Sequence, residues 1–291
     1  MSRERRPSAR RVRRYIDPDD LITRPQTLPP ATIAEPWVAE TRLLLETGDV
    51  LDCEPIALGS NYTFLLALGG RAEIASETAQ PDRDEVSHGG ESRLIAVYKP
   101  RRGEAPLWDF PSGSLYRREY AAYLVSQALG WPFIPPTVIR EGPYGIGAVQ
   151  LYIKPSERAD YLQFGPEHQA DLARMHLFDH VVNNADRKIS HVLRDEIGGI
   201  WGIDHGLTFH EEFKLRTVIF GFGGEPIPEE LLSSLGALRH DKPRFERLRG
   251  LLAEHLSTRE IGAFARRIDS LLAKRQFPEL DPYENVPRGF F

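Results

Sequence analysis

The chain changes character near its middle. Before about residue 154, apolar residues fall in short runs of strand length: Asp52–Leu58, Tyr62–Leu68, Leu94–Tyr98, and a hairpin of Thr137–Arg140 with Ala148–Ile153. Only Leu115–Leu129 in that half has helical spacing, with Leu115, Tyr120, Tyr123, Leu124 and Leu129 near one face and Gly130-Trp131-Pro132 to stop it. Beyond it the helical period takes over. Leu172, Met175, Phe178 and Val182 mark one apolar stripe, and helices are predicted over 228–238, 242–256 and 258–274. Strands gathered ahead of helices specify an α+β fold, with a β-rich first half carrying one main helix and a mostly helical second half.

The predicted segmentation is a basic leader over 1–35, a β-rich part over 36–153, a helical part over 154–275 and a tail over 276–291. A short helix at 38–45 opens the β-rich part, and a polar stretch at 69–92 without periodicity reads as a mobile insertion. The last four residues, Arg288-Gly289-Phe290-Phe291, read equally as a docking strand or a loose end. At 291 residues the chain is long enough for two lobes with a core. No apolar run reaches the ~18 residues of a membrane-spanning helix, and none follows the charged N-terminus as in a secretory signal. The single cysteine, Cys53, excludes an internal disulfide and a cysteine-based zinc cluster, and makes the reducing cytoplasm the default compartment.

The net charge of −5 hides an asymmetry, because residues 1–14 hold seven arginines against one glutamate. A solvated tail is the reading. An arm for nucleic acid or anionic lipid would call for aromatic interleaving or a recognisable motif, and neither is present. Oligomeric state leaves no trace in the sequence.

Two stretches carry the chemistry: Phe178-Asp179-His180-Val181-Val182-Asn183-Asn184-Ala185-Asp186-Arg187, and Gly202-Ile203-Asp204-His205-Gly206. Each ends an apolar run with an aspartate in a turn. Phosphoryl transfer needs one carboxylate at the acceptor hydroxyl and another on the metal that neutralises the triphosphate, and the two aspartates suit those places. Asp186, past the end of a helix, is placed to take a proton; Arg187 is placed to pair with an acceptor phosphate or with Asp179. Asp204 follows a strand, Gly199–Ile203, and is placed to reach Mg²⁺. Its loss as alanine is expected to leave stability unchanged or improved, by removing a repulsive charge. Gly206 is expected to supply an unusual backbone angle and His205 to pack or cap the turn. Upstream, Lys99 closes the third strand and Glu119 lies on the following helix, an arrangement that holds phosphates and the lysine in turn. Gly59-Ser60-Asn61 lies between two strands, where small residues let backbone N–H groups approach a phosphate.

These residues resemble the phosphatidylinositol 3-/4-kinase-like branch of the protein-kinase-like superfamily. Type II phosphatidylinositol 4-kinases, Golgi casein kinases, HipA-type kinases and a group of actinobacterial proteins are similar in Asn184-Ala185-Asp186-Arg187, Ile203-Asp204-His205-Gly206 and Val97-Tyr98-Lys99-Pro100. The resemblance covers roughly residues 50–220. It implies a bilobal kinase-like fold and an ATP-dependent kinase acting on an alcohol group with Mg²⁺. Lys99 would bind the α- and β-phosphates, Glu119 would hold Lys99, Asp186 would be the catalytic aspartate and Asp204 the metal ligand. Many relatives have asparagine where this chain has His191, the second metal position. Imidazole suits Mg²⁺ poorly, which leaves four readings: one Mg²⁺ only, Mn²⁺ preferred, His191 on a phosphate, or degraded catalysis. A nucleotidyl transferase on the same fold and a nucleotide-binding pseudokinase remain alternatives. With no amphipathic interfacial helix in view, a protein or small-metabolite acceptor is favoured over a lipid.

Overall fold

A computed structural model describes residues 35–56, 61–70, 92–156, 164–287 and Gly289. Residues 1–34, most of the polar insertion, Gly59, Ser60 and the terminal Arg288, Phe290 and Phe291 lie outside the described residues.

Helix α1 (Glu35–Thr47) leads into β1 (Asp49–Ile56), β2 (Thr63–Gly70) and β3 (Ser92–Pro100). Helix α2 (Leu115–Leu129) follows, then the hairpin β4 (Thr137–Gly142) and β5 (Gly145–Leu151). The five strands form one antiparallel sheet in the order β1-β2-β3-β5-β4. Alternation along the strands does the sorting. Phe64, Leu66 and Leu68 of β2 lie opposite Tyr98, Ala96 and Leu94 of β3, and all six are buried in one cluster with Trp37, Leu44 and Leu45 of α1. Lys99, one residue past Tyr98, therefore projects from the other face of the sheet. Tyr98 also explains one glycine of the hairpin: a Cβ at Gly142 would come within 2.7 Å of the Tyr98 ring.

The second half holds α3 (Gln169–Val182), the short hairpin β6 (Val192–Arg194) and β7 (Ile200–Gly202), then α4 (Glu229–His240), α5 (Lys242–Ala253) and α6 (Thr258–Lys274). The architecture is thus α+β, as expected, with six helices among the described residues. The predicted ends of the last three helices agree to within a few residues, and α6 begins and ends where the sequence places it. Strand β6 went unpredicted because its three residues are too few to show a period.

Helix α2 belongs to both halves. It packs on β4 and β5 and also on α4 and α5, and Ala121, Ala122, Tyr123, Val125 and Leu129 share a core with α3, α4, α5 and α6. Gly130 ends it with φ 70°, in the left-handed conformation that glycine adopts without strain. Among the described residues no helix is long and apolar enough to cross a membrane.

Candidate active site

The sheet delivers Lys99 to a junction with α2 and the turn after β7. Lys99 Nζ lies 3.0 Å from Glu119 Oε2 and 2.9 Å from Asp204 Oδ1. Burial alone would lower the lysine's pKa; the two carboxylates override it and hold the ammonium charged well above its ordinary range. Glu119 is 1 % exposed, and its other oxygen accepts from the backbone N–H of His205 at 3.0 Å. One carboxylate therefore ties the sheet's lysine to the turn that carries Asp204.

The second aspartate comes from the end of α3. Asn183 closes that helix with φ 56°, a left-handed conformation asparagine tolerates, and its side chain pins the returning chain through His210 O, Glu212 O and Lys214 N–H. Asn184 donates to Asp179 Oδ1 at 2.9 Å and accepts from Asp186 N–H at 3.0 Å. Asp186 is thus aimed by its own loop, and its Oδ2 lies 3.1 Å from Lys188 Nζ. Burial pushes its pKa up to about 6, against the pull of Lys188 and with a further push from Asp204.

Asp204 itself adopts φ 59°, so the unusual backbone angle belongs to the aspartate and not to Gly206 as expected. A Cβ on Gly206 would make only ordinary contacts, 3.5 Å from Leu115 Cβ and 3.6 Å from Glu119 Oε2. The Asp204 carboxylate is 46 % exposed, with Lys99 on Oδ1 and His191 Nε2 3.3 Å from Oδ2. Burial would raise its pKa; the Lys99 charge, with smaller help from His191, holds it well below the usual carboxylate range. Asp204 is therefore an attracted charge in this site, which reverses the expectation that its removal relieves repulsion.

With this geometry in hand, comparison with known proteins becomes informative. No protein-family model matches the chain. Protein Rv2133c of Mycobacterium tuberculosis is 40% identical over 233 residues, covering 67% of this chain and 82% of that protein. This chain belongs to the Rv2133c family. Among solved structures, the Golgi casein kinase with Mn/ADP bound overlays with a TM-score of 0.49 at 13% identity, covering 82% of this chain and 75% of that one. The Helicobacter pylori proinflammatory kinase CtkA gives 0.46 at 10% identity, over 80% and 94%. At such loose overlap, the weight for function in this Rv2133c-family member falls on its side chains.

Two of those side chains could share a metal carried in with phosphates. Among the described residues no cluster of three or more His, Cys, Asp or Glu could hold a metal ion alone. Two donors do converge, Asp204 Oδ2 and His191 Nε2, and Mg²⁺-type ions are commonly held by one or two protein groups plus substrate phosphates. Burial lowers the His191 pKa to about 4, so the imidazole is neutral at physiological pH.

Arg187 is one of the two residues expected to be catalytic. Its side chain is fully buried, with Nε and Nη2 on the two oxygens of Asp179 at 2.9 and 2.8 Å, and Nη1 on the carbonyls of His191 and Ile203 at 3.1 Å each. Nη2 also lies 2.7 Å from His205 Nε2, which must accept. Of the two partners foreseen for it, Arg187 takes Asp179; its donors are committed, and they tie both aspartate loops to α3. Asn61 is engaged too, its Oδ1 accepting from Ala105 N–H at 2.7 Å.

Two residues escaped the sequence reading. Lys188 beside Asp186 is one. Arg118 is the other: it is 2 % exposed, its Nη1 donates to Thr208 O at 2.7 Å, and its Nη2 is paired with Glu260 at the start of α6. Consecutive residues of α2 thereby hold both ends of one turn, Glu119 at His205 and Arg118 at Thr208. The clue was present, since Arg118, Glu119 and Ala122 share a helix face with Leu115, and charges on an apolar face need partners.

Proposed function

We propose that this chain is an ATP-dependent phosphotransferase acting on a hydroxyl acceptor, of the phosphatidylinositol-kinase-like type. The observation that carries this reading is Lys99 bridging Glu119 and Asp204, with Asp186 on the neighbouring loop. Lys99 is a fixed cation for the α- and β-phosphates, held by Glu119. As nucleotide phosphates arrive, they compete with Asp204 for the ammonium and free the carboxylate for a metal. A divalent ion there would neutralise charge on the phosphates. Asp186, with a pKa of about 6, is mostly ionised near neutrality and basic enough to orient the acceptor hydroxyl and take its proton. Lys188, 3.1 Å from Asp186, offers a further positive charge to the transferring group. Gly59 and Ser60 complete the phosphate cradle in this reading. A protein or small metabolite is the favoured acceptor, and Cys53 as the sole thiol suits the cytoplasm.

The test is calorimetric ATP binding with Mg²⁺, with Mn²⁺ and without metal, on the wild type and on Asp204→Asn, followed by turnover of α- and γ-labelled ATP. Metal-dependent binding lost in the variant, with the γ-label transferred, is the expected result. Transfer of the α-label would mean a nucleotidyl transferase instead, and binding without any turnover a pseudokinase. Absence of binding under every condition refutes the proposal.

A further inference from the structure

His191 is held in one tautomer by its own loop. Its Nδ1 lies 2.8 Å from the backbone carbonyl of Asp186, and a carbonyl only accepts, so Nδ1 carries the proton. The Lys188 N–H approaches the same nitrogen only at 3.4 Å. Nε2 is therefore the ring nitrogen left to take a cation. It points at Asp204 Oδ2 from 3.3 Å, while Oδ1 is taken up by Lys99. The two atoms converge closely enough for one cation to stand at both. The imidazole cannot turn away cheaply. Its ring is 9 % exposed, and Arg187 Nη1 holds the His191 carbonyl at 3.1 Å. A ring whose far N–H is fixed on a backbone carbonyl is the usual support of a metal-binding histidine.

We infer that His191 Nε2 and Asp204 Oδ2 together hold the nucleotide-borne cation, and that the nitrogen donor makes this a site for a first-row transition-metal ion, Mn²⁺, in preference to Mg²⁺. Mg²⁺ demands oxygen donors and gives up water reluctantly, so a fixed imidazole is of little use to it. Imidazole suits the transition-metal dications, and of these Mn²⁺ also accepts carboxylate, phosphate and water oxygens. Two protein donors are too few to retain the ion alone, so selectivity is expressed on the metal–nucleotide complex. This rests on the phosphotransferase reading only in requiring that a nucleotide binds.

The experiment uses the full chain with AMP-PNP, a non-hydrolysable ATP analogue, and needs no turnover. Calorimetry compares Mn²⁺–AMP-PNP with Mg²⁺–AMP-PNP, and pulsed EPR of the bound Mn²⁺ looks for directly coordinated nitrogen, with [¹⁵N]histidine labelling to assign it. Tighter binding with Mn²⁺ by about tenfold or more is expected, together with a nitrogen coupling that changes on labelling. His191→Asn, which supplies an oxygen donor, should erase the coupling and bring the two affinities together. Nucleotide binding with no histidine coupling, or a metal preference that survives His191→Asn, overturns this inference and leaves the phosphotransferase reading standing. Failure to bind AMP-PNP with either metal overturns both.

Discussion

Replacing Arg187 with methionine separates a positioning role from a catalytic one. Arg187 and Asp179 are each 0 % exposed and share two hydrogen bonds of 2.9 and 2.8 Å. Methionine fills much of the arginine's volume, so the main loss is charge and not packing. What remains is a carboxylate in the core held by the Asn184 side chain, and breaking a buried pair on one side costs about 3–5 kcal/mol. The carbonyls of His191 and Ile203 lose a donor as well, which favours the upper part of that range. For a chain of this size such a loss lowers the melting temperature on the order of 10 °C. Urea unfolding followed by tryptophan fluorescence and circular dichroism measures it. Asp179→Leu combined with Arg187→Met should cost less than the sum of the single changes, because neither charge is then stranded. Arg187→Lys should fall between, since an ammonium cannot span both carboxylate oxygens and both carbonyls. An Arg187→Met variant with wild-type stability and no phosphotransfer would refute this assignment and return Arg187 to the acceptor.

Asp186→Asn should lower the rate about 10²- to 10⁴-fold with nucleotide affinity unchanged, measured by steady-state kinetics beside calorimetry. The wild-type rate should fall as pH drops through about 6, where Asp186 protonates. Because that pKa is raised above its unfolded value, the stability it contributes is complete only in acid and is lost as pH rises past 6. Asp186→Asn should therefore melt higher than the wild type at pH 7, with the gap closing below about pH 4. Asp204→Asn should do the reverse: its carboxylate pKa is depressed in the fold, so the variant should melt lower at pH 7 and the deficit should shrink as pH falls. Asparagine is preferable to alanine there because of the positive φ. Glu260→Ala strands the buried Arg118 and removes the half of the α6 capping box that accepts from Ser257 N–H, costing about 2–3 kcal/mol in urea unfolding, whereas Ser257→Ala, which removes the hydroxyl half alone, should cost about 1 kcal/mol.

Elements written in local patterns could be read before the fold was seen. The glycine after α2 and the asparagine after α3 are chemical requirements of the chain within a few residues of themselves. So are the strand runs, and with them the position of Lys99 at the end of β3. Asp186 and Asp204 could be singled out because each follows an element end. Which partners Arg187 and Arg118 take, and which tautomer His191 holds, was not legible, because charge in a sequence carries no burial. For Arg187 the sequence leaves open an acceptor phosphate or Asp179, and only burial against α3 decides for Asp179. Arg118 finds Glu260 across 142 positions of sequence. The tautomer of His191 depends on a carbonyl oxygen, which no residue type announces. The sequence alone determined which groups were available and on which elements they ride. The tertiary structure decided which became committed to one another, because a buried polar group must find partners and the fold alone sets which lie within 3 Å.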